Sequence, residues 1–138
     1  MTLSASPLQV VTSYFQALAE GRVTEALAML DKNVEWHQPG KNRFSGVHRG
    51  PEAVGNLIGD MMAVSAGTFS LAVAGAMMVN GDLVAVPVHF SGQRQGAGLN
   101  QDGIDLITVR EGKIVTVQLF SSDGPAEDAF WGKTEGKN

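Results

Sequence analysis

The stretch GIDLITVREGKIV, residues 103–115, says more about the fold of this chain than any other. It predicts two strands joined across Arg110-Glu111-Gly112, because β-branched and apolar residues flank a turn that contains glycine. Asp105 interrupts the first of these strands with a carboxyl group, although its neighbours on both faces are apolar. Burying an ionised carboxylate is costly. Asp105 therefore either faces solvent or stays neutral as a hydrogen-bond donor.

The segments around this hairpin predict an α+β domain in which helices come first and strands follow. The first half is predicted to contain a helix from Ser6-Pro7 to Gly21, a short second helix, a strand 33–38, a loop 41–49 and a third helix from Gly50. The second half is predicted to contain strands 68–79 and 83–90, a Gly-rich turn 93–100, strands 103–109 and 113–121, and a short helical turn 124–131. The strongly curved antiparallel sheet would form a cone against the three N-terminal helices. We expect one domain over 1–131 and a frayed tail over 132–138.

Composition and charge exclude several classes of function. The chain has 138 residues, a net charge of −4 and no cysteine, so thiolate metal sites and disulfides are excluded. No cluster of Lys and Arg suits a nucleic acid. The apolar run 71–79 is too short to span a bilayer, and the first residues lack a secretory signal. His37, His48 and His89 have no ligand spacing. We expect a soluble, cytoplasmic protein without metal, cofactor, nucleic-acid partner or membrane contact.

Four passages carry a family resemblance, namely Tyr14–Leu18, Leu30–Trp36, the entry to the third helix at Gly46–Val54, and the final hairpin at Val109–Val115. Together with the order of elements they make the chain similar to the nuclear transport factor 2-like superfamily, in its SnoaL-like and ketosteroid-isomerase-like branch. This resemblance implies a cystatin-like fold, also described as an α+β barrel, around an apolar cavity. It implies a fold more than a function, because the superfamily hosts many activities.

The resemblance also implies roles for named residues. Tyr14 matches the oxyanion-hole tyrosine of the ketosteroid isomerases. Asp105 matches their second hydrogen-bond donor, a carboxylic acid that its apolar surroundings keep protonated. Those enzymes place an aspartate base at the end of the first strand, where this chain has Trp36-His37-Gln38-Pro39. His37 is the candidate general base, since imidazole titrates near neutral pH.

Each of these residues also has a plainer interpretation. A tyrosine such as Tyr14 on a helix stripe is more often an amphipathic core residue with a satisfied hydroxyl, and His37 is equally typical of a polar rim residue bonded to a loop carbonyl. Strand alternation allows only one of Trp36 and His37 to face inward. We expect the ligand to contact a set of apolar side chains from helices and strands: Leu18, Trp36, Phe44, Leu57, Met61, Ile107, Val117 and Leu119.

Three functions compete at this point. The first is an isomerase or polyketide-cyclase-like enzyme that moves a proton beside the carbonyl of an apolar small molecule; epoxide hydrolysis is a variant that would need Arg94 or Arg110 in the cavity. The second is non-catalytic binding of an apolar ligand, which the absence of a carboxylate base favours. The third is a dimerisation module, because the outer face of such a sheet exposes apolar surface. A homodimer through the sheet is therefore expected.

Overall fold

A computed structural model describes residues 5–133 of the chain. The elements are α1 (Pro7–Ala19), α2 (Val23–Ala28), β1 (Leu30–Gln38), β2 (Gly46–Arg49), α3 (Gly50–Val64), β3 (Ser70–Val73), β4 (Met78–Asn80), β5 (Leu83–Arg94), β6 (Ala97–Arg110), β7 (Lys113–Ser121) and α4 (Gly124–Trp131). The predicted α+β class is confirmed, and α4 adds a helix after the last strand.

One curved sheet that does not close on itself forms the body of the molecule. Its strands follow the order β2-β1-β7-β6-β5-β3, and β4 also pairs with β5. Every pairing is antiparallel except that between β1 and β7, which is parallel. The sheet is therefore mixed, with one parallel pairing, whereas the sequence predicted a sheet that is antiparallel throughout.

Alternation along the strands gives the sheet an apolar inner face. On β5, Val84, Val86 and Val88 are at most 1% exposed, whereas Leu83, Ala85 and Pro87 between them are exposed or half-buried. Burial alternates in the same way on β6. Helices α1 and α3 lie against the sheet and contribute the buried residues Val11, Tyr14, Phe15, Val54, Leu57 and Met61 to the core.

The start of α1 follows from its sequence. The Ser6 hydroxyl accepts a hydrogen bond from the backbone N–H of Gln9, and the Gln9 side chain accepts one from the Ser6 backbone N–H. Pro7 stands at the first helical position, where a missing N–H costs nothing. This reciprocal cap confirms the predicted helix start and fixes the register of the helical face that carries Tyr14.

Three loop and strand assignments from the sequence were wrong. The predicted loop 41–49 contains β2, which pairs with the end of β1 and leaves the Val47 side chain 44% exposed. The predicted strand 68–79 is two short strands, since both pair with β5 but on separate stretches of it. The predicted Gly-rich turn 93–100 is mostly strand, because β5 and β6 stay paired as far as Arg94 and Ala97.

Helix α4 packs against the inner part of the molecule through Phe130 and Trp131, which are nearly inaccessible. The Arg94 side chain donates from Nη1 to the backbone carbonyl oxygens of Phe130 and Trp131. In the predicted tail, the Gly132 carbonyl accepts from the Arg43 backbone N–H, and residues 134–138 lie outside the described part. No helix within residues 5–133 is long and apolar enough to cross a bilayer.

Candidate functional site

Tyr14 and Asp105 line the same cavity, which has a volume of about 370 Å³. It lies between α1, α3 and the inner face of the sheet, and α4 supplies part of its wall. This volume is in the range of small-ligand pockets. The lining is mainly apolar and aromatic: Leu18, Val23, Trp36, Pro39, Ile58, Met61, Met62, Phe69, Leu71, Phe90 and Leu119.

The Tyr14 hydroxyl is an unpartnered donor. Tyr14 is 2% exposed, and its hydroxyl oxygen is buried with no hydrogen-bond partner among residues 5–133. Such a group costs free energy in the folded protein unless a ligand or a water supplies the missing bond. Burial, and secondarily the negative charge of Asp105, raise the pKa of this phenol, so the hydroxyl keeps its proton at neutral pH.

Asp105 faces the cavity because β6 turns its odd-numbered side chains inward. It lies opposite Val86 of β5 and Leu119 of β7, and it is 6% exposed. Burial, and secondarily the charge of Glu127, raise the pKa of Asp105 to about 7. The alternative in which this carboxyl faces solvent is therefore wrong. With a pKa of about 7, this carboxyl carries its proton below neutral pH and in a large fraction of molecules at pH 7, and in that form it is able to donate a hydrogen bond.

Glu127 on α4 is a third titratable residue of the cavity wall, beside Tyr14 and Asp105. It lies close in sequence to the acidic residues Asp123 and Asp128, yet it is only 5% exposed. Its carboxylate accepts hydrogen bonds from the Ser121 hydroxyl and from the Trp131 indole N–H, the latter at 3.2 Å. Burial raises the pKa of Glu127, while these two donors oppose the rise.

A sequence signal for Glu127 did exist. Residues four apart on a helix are neighbours, so a helix over 124–131 places the Glu127 carboxyl beside the Trp131 indole. An indole N–H on a buried face needs an acceptor. Glu127 could therefore have been assigned as that acceptor. Glu127 is buried because α4 turns this side of the helix toward the core.

The structure divides the expected ligand-contacting residues into two groups. Leu18, Trp36, Met61 and Leu119 line the cavity. The other four do not line this cavity and pack elsewhere. Phe44 lies against Trp131, with ring centroids 5.1 Å apart. Leu57, Ile107 and Val117 are core residues with at most 3% exposure; Ile107 and Val117 pair with each other in the row next to Asp105 and Leu119.

His37 lies on the outer face of β1, so its assignment as the general base is not supported. The inward residues of this strand are Val34, Trp36 and Gln38. The His37 Nε2 atom is 3.4 Å from a carboxylate oxygen of Glu35, and both side chains are about 40% exposed. Alternation explains the result, because Trp36 takes the cavity-facing direction and its indole N–H donates to Gln38.

The arginines needed for epoxide hydrolysis also lie away from the cavity. Arg94 binds carbonyl oxygens at the end of α4. Arg110 lies at the surface, with its Nε atom 3.7 Å from Asp82. Of the described residues that line the cavity, none is Lys, Arg or His. Within 5–133, no three His, Asp or Glu side chains are grouped as metal ligands would be.

A second depression, a groove of about 560 Å³, lies over α2 and the start of β1. Its charged lining residues Asp31, Lys32 and Lys113 are exposed or half-buried, and Lys113 donates to the backbone carbonyl of Ala28. The buried titratable groups lie instead around the smaller cavity. An apolar hollow with a phenol and an acid able to donate hydrogen bonds is suited to bind a carbonyl or enolate oxygen.

Comparisons with known proteins agree with this architecture. A family model described as a SnoaL-like domain matches residues 11–117. An uncharacterized protein of Mycobacterium tuberculosis (strain ATCC 25618 / H37Rv) is 31% identical over 125 residues, which are 90% of this chain and 95% of the relative.

Solved structures share the fold. A protein of unknown function with cystatin-like fold from Xanthomonas campestris superposes with a TM-score of 0.88 at 44% identity, covering 93% of this chain and 99% of that one. A putative polyketide cyclase from Xanthomonas campestris pv. campestris has a TM-score of 0.69 at 17% identity, covering 91% and 96% of the two chains. At this identity the second likeness concerns the fold alone.

Proposed function

The chain belongs to the SnoaL-like domain family, and we propose that it catalyses proton transfer at the carbon beside a carbonyl group of an apolar small molecule, as an isomerase or a cyclase. The observation that carries this proposal is the Tyr14 hydroxyl, a buried donor without a partner in the described structure, which shares a cavity with the Asp105 carboxyl. The two groups suit a ligand oxygen that gains negative charge.

The proposed chemistry follows from these donors. When a proton leaves the carbon beside a carbonyl, the electron pair of the C–H bond moves toward the carbonyl oxygen and an enolate forms. Hydrogen bonds from the Tyr14 hydroxyl and the protonated Asp105 carboxyl would stabilise that oxygen more in the transition state than in the ground state. Such preorganised donors act strongly in a cavity shielded from water.

The lining of the cavity supports a neutral, partly aromatic substrate. Trp36, Phe69 and Phe90 offer flat apolar surface, and Met61 is a flexible side chain that adapts to irregular shapes. The described residues that line the cavity include two carboxyl groups and no Lys, Arg or His. This lining disfavours the binding of carboxylates and phosphates. One structural neighbour is called a putative polyketide cyclase. Ketones that undergo cyclisation would suit this apolar lining.

Deuterium exchange tests the proposal without knowledge of the natural substrate. 2-Tetralone, a neutral bicyclic ketone, would be incubated with the protein in D₂O, and loss of the proton beside its carbonyl would be followed by NMR. We expect exchange faster than in buffer, and a loss of about 10²–10³-fold in Tyr14→Phe and in Asp105→Leu, each of which removes a donor. Asp60→Asn, an exposed change on α3, is the control. Unchanged rates in both cavity variants would reject the proposal.

Non-catalytic ligand binding remains the second candidate, and one observation favours it. β1 supplies no carboxyl to the cavity within the described structure, since its inward residues are Val34, Trp36 and Gln38. In that case 2-tetralone or a similar compound would bind without exchange, and native mass spectrometry of gently purified protein would reveal a retained apolar ligand.

We further propose that the chain forms a homodimer through the outer face of its sheet. Ile104 is 39% exposed and pairs with Pro87 of β5 and with Phe120 of β7. Phe120 is 51% exposed, although it also contributes to the wall of the cavity. Contiguous apolar residues on one exposed sheet face are typical of an interface, and a second copy related by a twofold axis would present the same surface.

A further inference from the structure

We infer that the Glu127 carboxylate, held in the cavity wall by Ser121 and Trp131, is the base that takes the proton from the substrate carbon and later returns it. This inference rests on the proposed function and supplies the part of it that β1 lacks. A catalytic base must lie in the same cavity as the oxyanion donors, and Glu127 lines the cavity with Tyr14 and Asp105.

The placement of Glu127 distinguishes it from the other acidic residues nearby. Asp123 accepts a hydrogen bond from the backbone N–H of Ala126 at the start of α4. Asp128 accepts hydrogen bonds from the backbone of Lys41 and the side chain of Asn42. These two carboxyls have structural partners outside the cavity, whereas Glu127 is 5% exposed and faces the ligand space.

Two donors hold the Glu127 carboxylate in place. The Ser121 hydroxyl donates to Oε1 and the Trp131 indole N–H donates to Oε2 at 3.2 Å. Each carboxylate oxygen has two lone pairs, so one bond to each oxygen leaves acceptor capacity for a proton from the substrate. Burial raises the pKa of Glu127, and these two donors oppose that rise by favouring the ionised form, which is the form that a base needs.

Glu127 and Asp105 are arranged to hold different protonation states. The charge of Glu127 contributes to the raised pKa of Asp105, so ionisation of Glu127 favours a protonated Asp105. The other charged group that bears on Glu127 is Asp128 of its own helix, and Tyr14 of α1 shares the cavity. One carboxyl is thus disposed to accept a proton and the other to donate a hydrogen bond, a division of roles typical of acid–base sites.

The step balances without an added reagent. The Glu127 carboxylate takes a proton from the carbon beside the carbonyl, and the C–H electron pair forms the C=C bond of an enolate while the carbonyl π pair moves to oxygen. Return of the same proton from Glu127 to another carbon of the conjugated system gives the isomer and restores the carboxylate. In a cyclisation, the enolate carbon attacks a second carbonyl carbon of the substrate, and Glu127 gives its proton to the new alkoxide.

The test compares Glu127→Gln with wild-type protein in the 2-tetralone exchange assay. We expect a loss of about 10²–10⁴-fold in the exchange rate, with binding of 2-naphthol, a neutral mimic of the enol, kept within a few-fold by calorimetry. Glu35→Gln removes an exposed carboxylate on the outer face of β1 and should leave the rate unchanged. Wild-type rates in Glu127→Gln would overturn the inference.

A second variant keeps the carboxylate and separates catalysis from a structural role. Ser121→Ala removes a donor that lowers the pKa of Glu127, so the rise of the exchange rate with pH should shift to higher pH. An unshifted profile would count against Glu127 as the base. Exchange that is lost in Tyr14→Phe but unchanged in Glu127→Gln would leave the proposed function standing and overturn this inference alone. No exchange by the wild type would overturn both.

Discussion

Replacing Asp105 by Asn should make the stability of the protein less sensitive to pH. Burial and the charge of Glu127 raise the pKa of this carboxyl from 3.8 to about 7. Below pH 3.8 both the folded and the unfolded chain carry the proton, so the group has no effect on the pH dependence. Between these values the unfolded chain loses the proton while the folded chain keeps it, and the wild type loses stability as the pH rises. Above pH 7 the penalty is constant.

The size of this loss of stability follows from the shift in the pKa of Asp105. Each pH unit between the two values costs about 1.4 kcal/mol, which sums to roughly 4 kcal/mol above pH 7. Asn has nearly the same shape and cannot ionise. The free energy of unfolding of Asp105→Asn, relative to wild type, should therefore increase by roughly 3 kcal/mol between pH 5 and pH 8, because about two pH units of the penalty fall in this interval.

Urea unfolding at pH 5 and pH 8, followed by tryptophan fluorescence, measures this difference directly. Asp60→Asn makes the same chemical change at an exposed position of α3 and should leave the pH dependence of the wild type intact. If Asp105→Asn and wild type differ by the same amount at both pH values, Asp105 is not a buried acid of raised pKa, and its role as a donor fails.

Three further predictions concern stability and assembly. Tyr14→Phe should raise the free energy of unfolding by about 1 kcal/mol, because it removes a buried hydroxyl that lacks a partner within the described residues; a loss of stability in urea would refute this. Gly103→Ala should destabilise by about 1–3 kcal/mol, since its Cβ would lie 2.3 Å from the Phe120 carbonyl oxygen and 2.9 Å from the Phe90 ring; unchanged urea stability would contradict it. Ile104→Lys should convert a dimer to a monomer in sedimentation; a wild type that is monomeric at micromolar concentration would exclude the proposed interface.

Strand alternation narrowed the possible directions of the Asp105 and Trp36 side chains without deciding them. A strand reverses its side chains at every residue, so adjacent residues face opposite sides of the sheet. The rule therefore allowed only one of Trp36 and His37 to face inward, and in the structure it is Trp36. The ambiguity at Asp105 arose because both faces of β6 are apolar there, and Ile104 on the outer face is still 39% exposed.

Contacts between distant segments were not predictable from the sequence. Phe44 packs on Trp131 of α4, and nothing in the local sequence of either residue specifies the other. β2 is a short edge strand whose existence depends on pairing with β1 rather than on its own pattern. The bond between Glu127 and Trp131 follows from helical spacing, but the place of Glu127 in the cavity wall depends on where α4 docks.

Binding of 2-naphthol tests the central claim most directly, namely that Tyr14 and Asp105 together hold a ligand oxygen. A hydrogen bond between neutral groups contributes about 0.5–1.5 kcal/mol, so isothermal titration calorimetry should show binding to wild type that weakens about 2- to 10-fold in Tyr14→Phe and in Asp105→Leu. Equal affinities in all three proteins, or no binding to the wild type, would contradict the account.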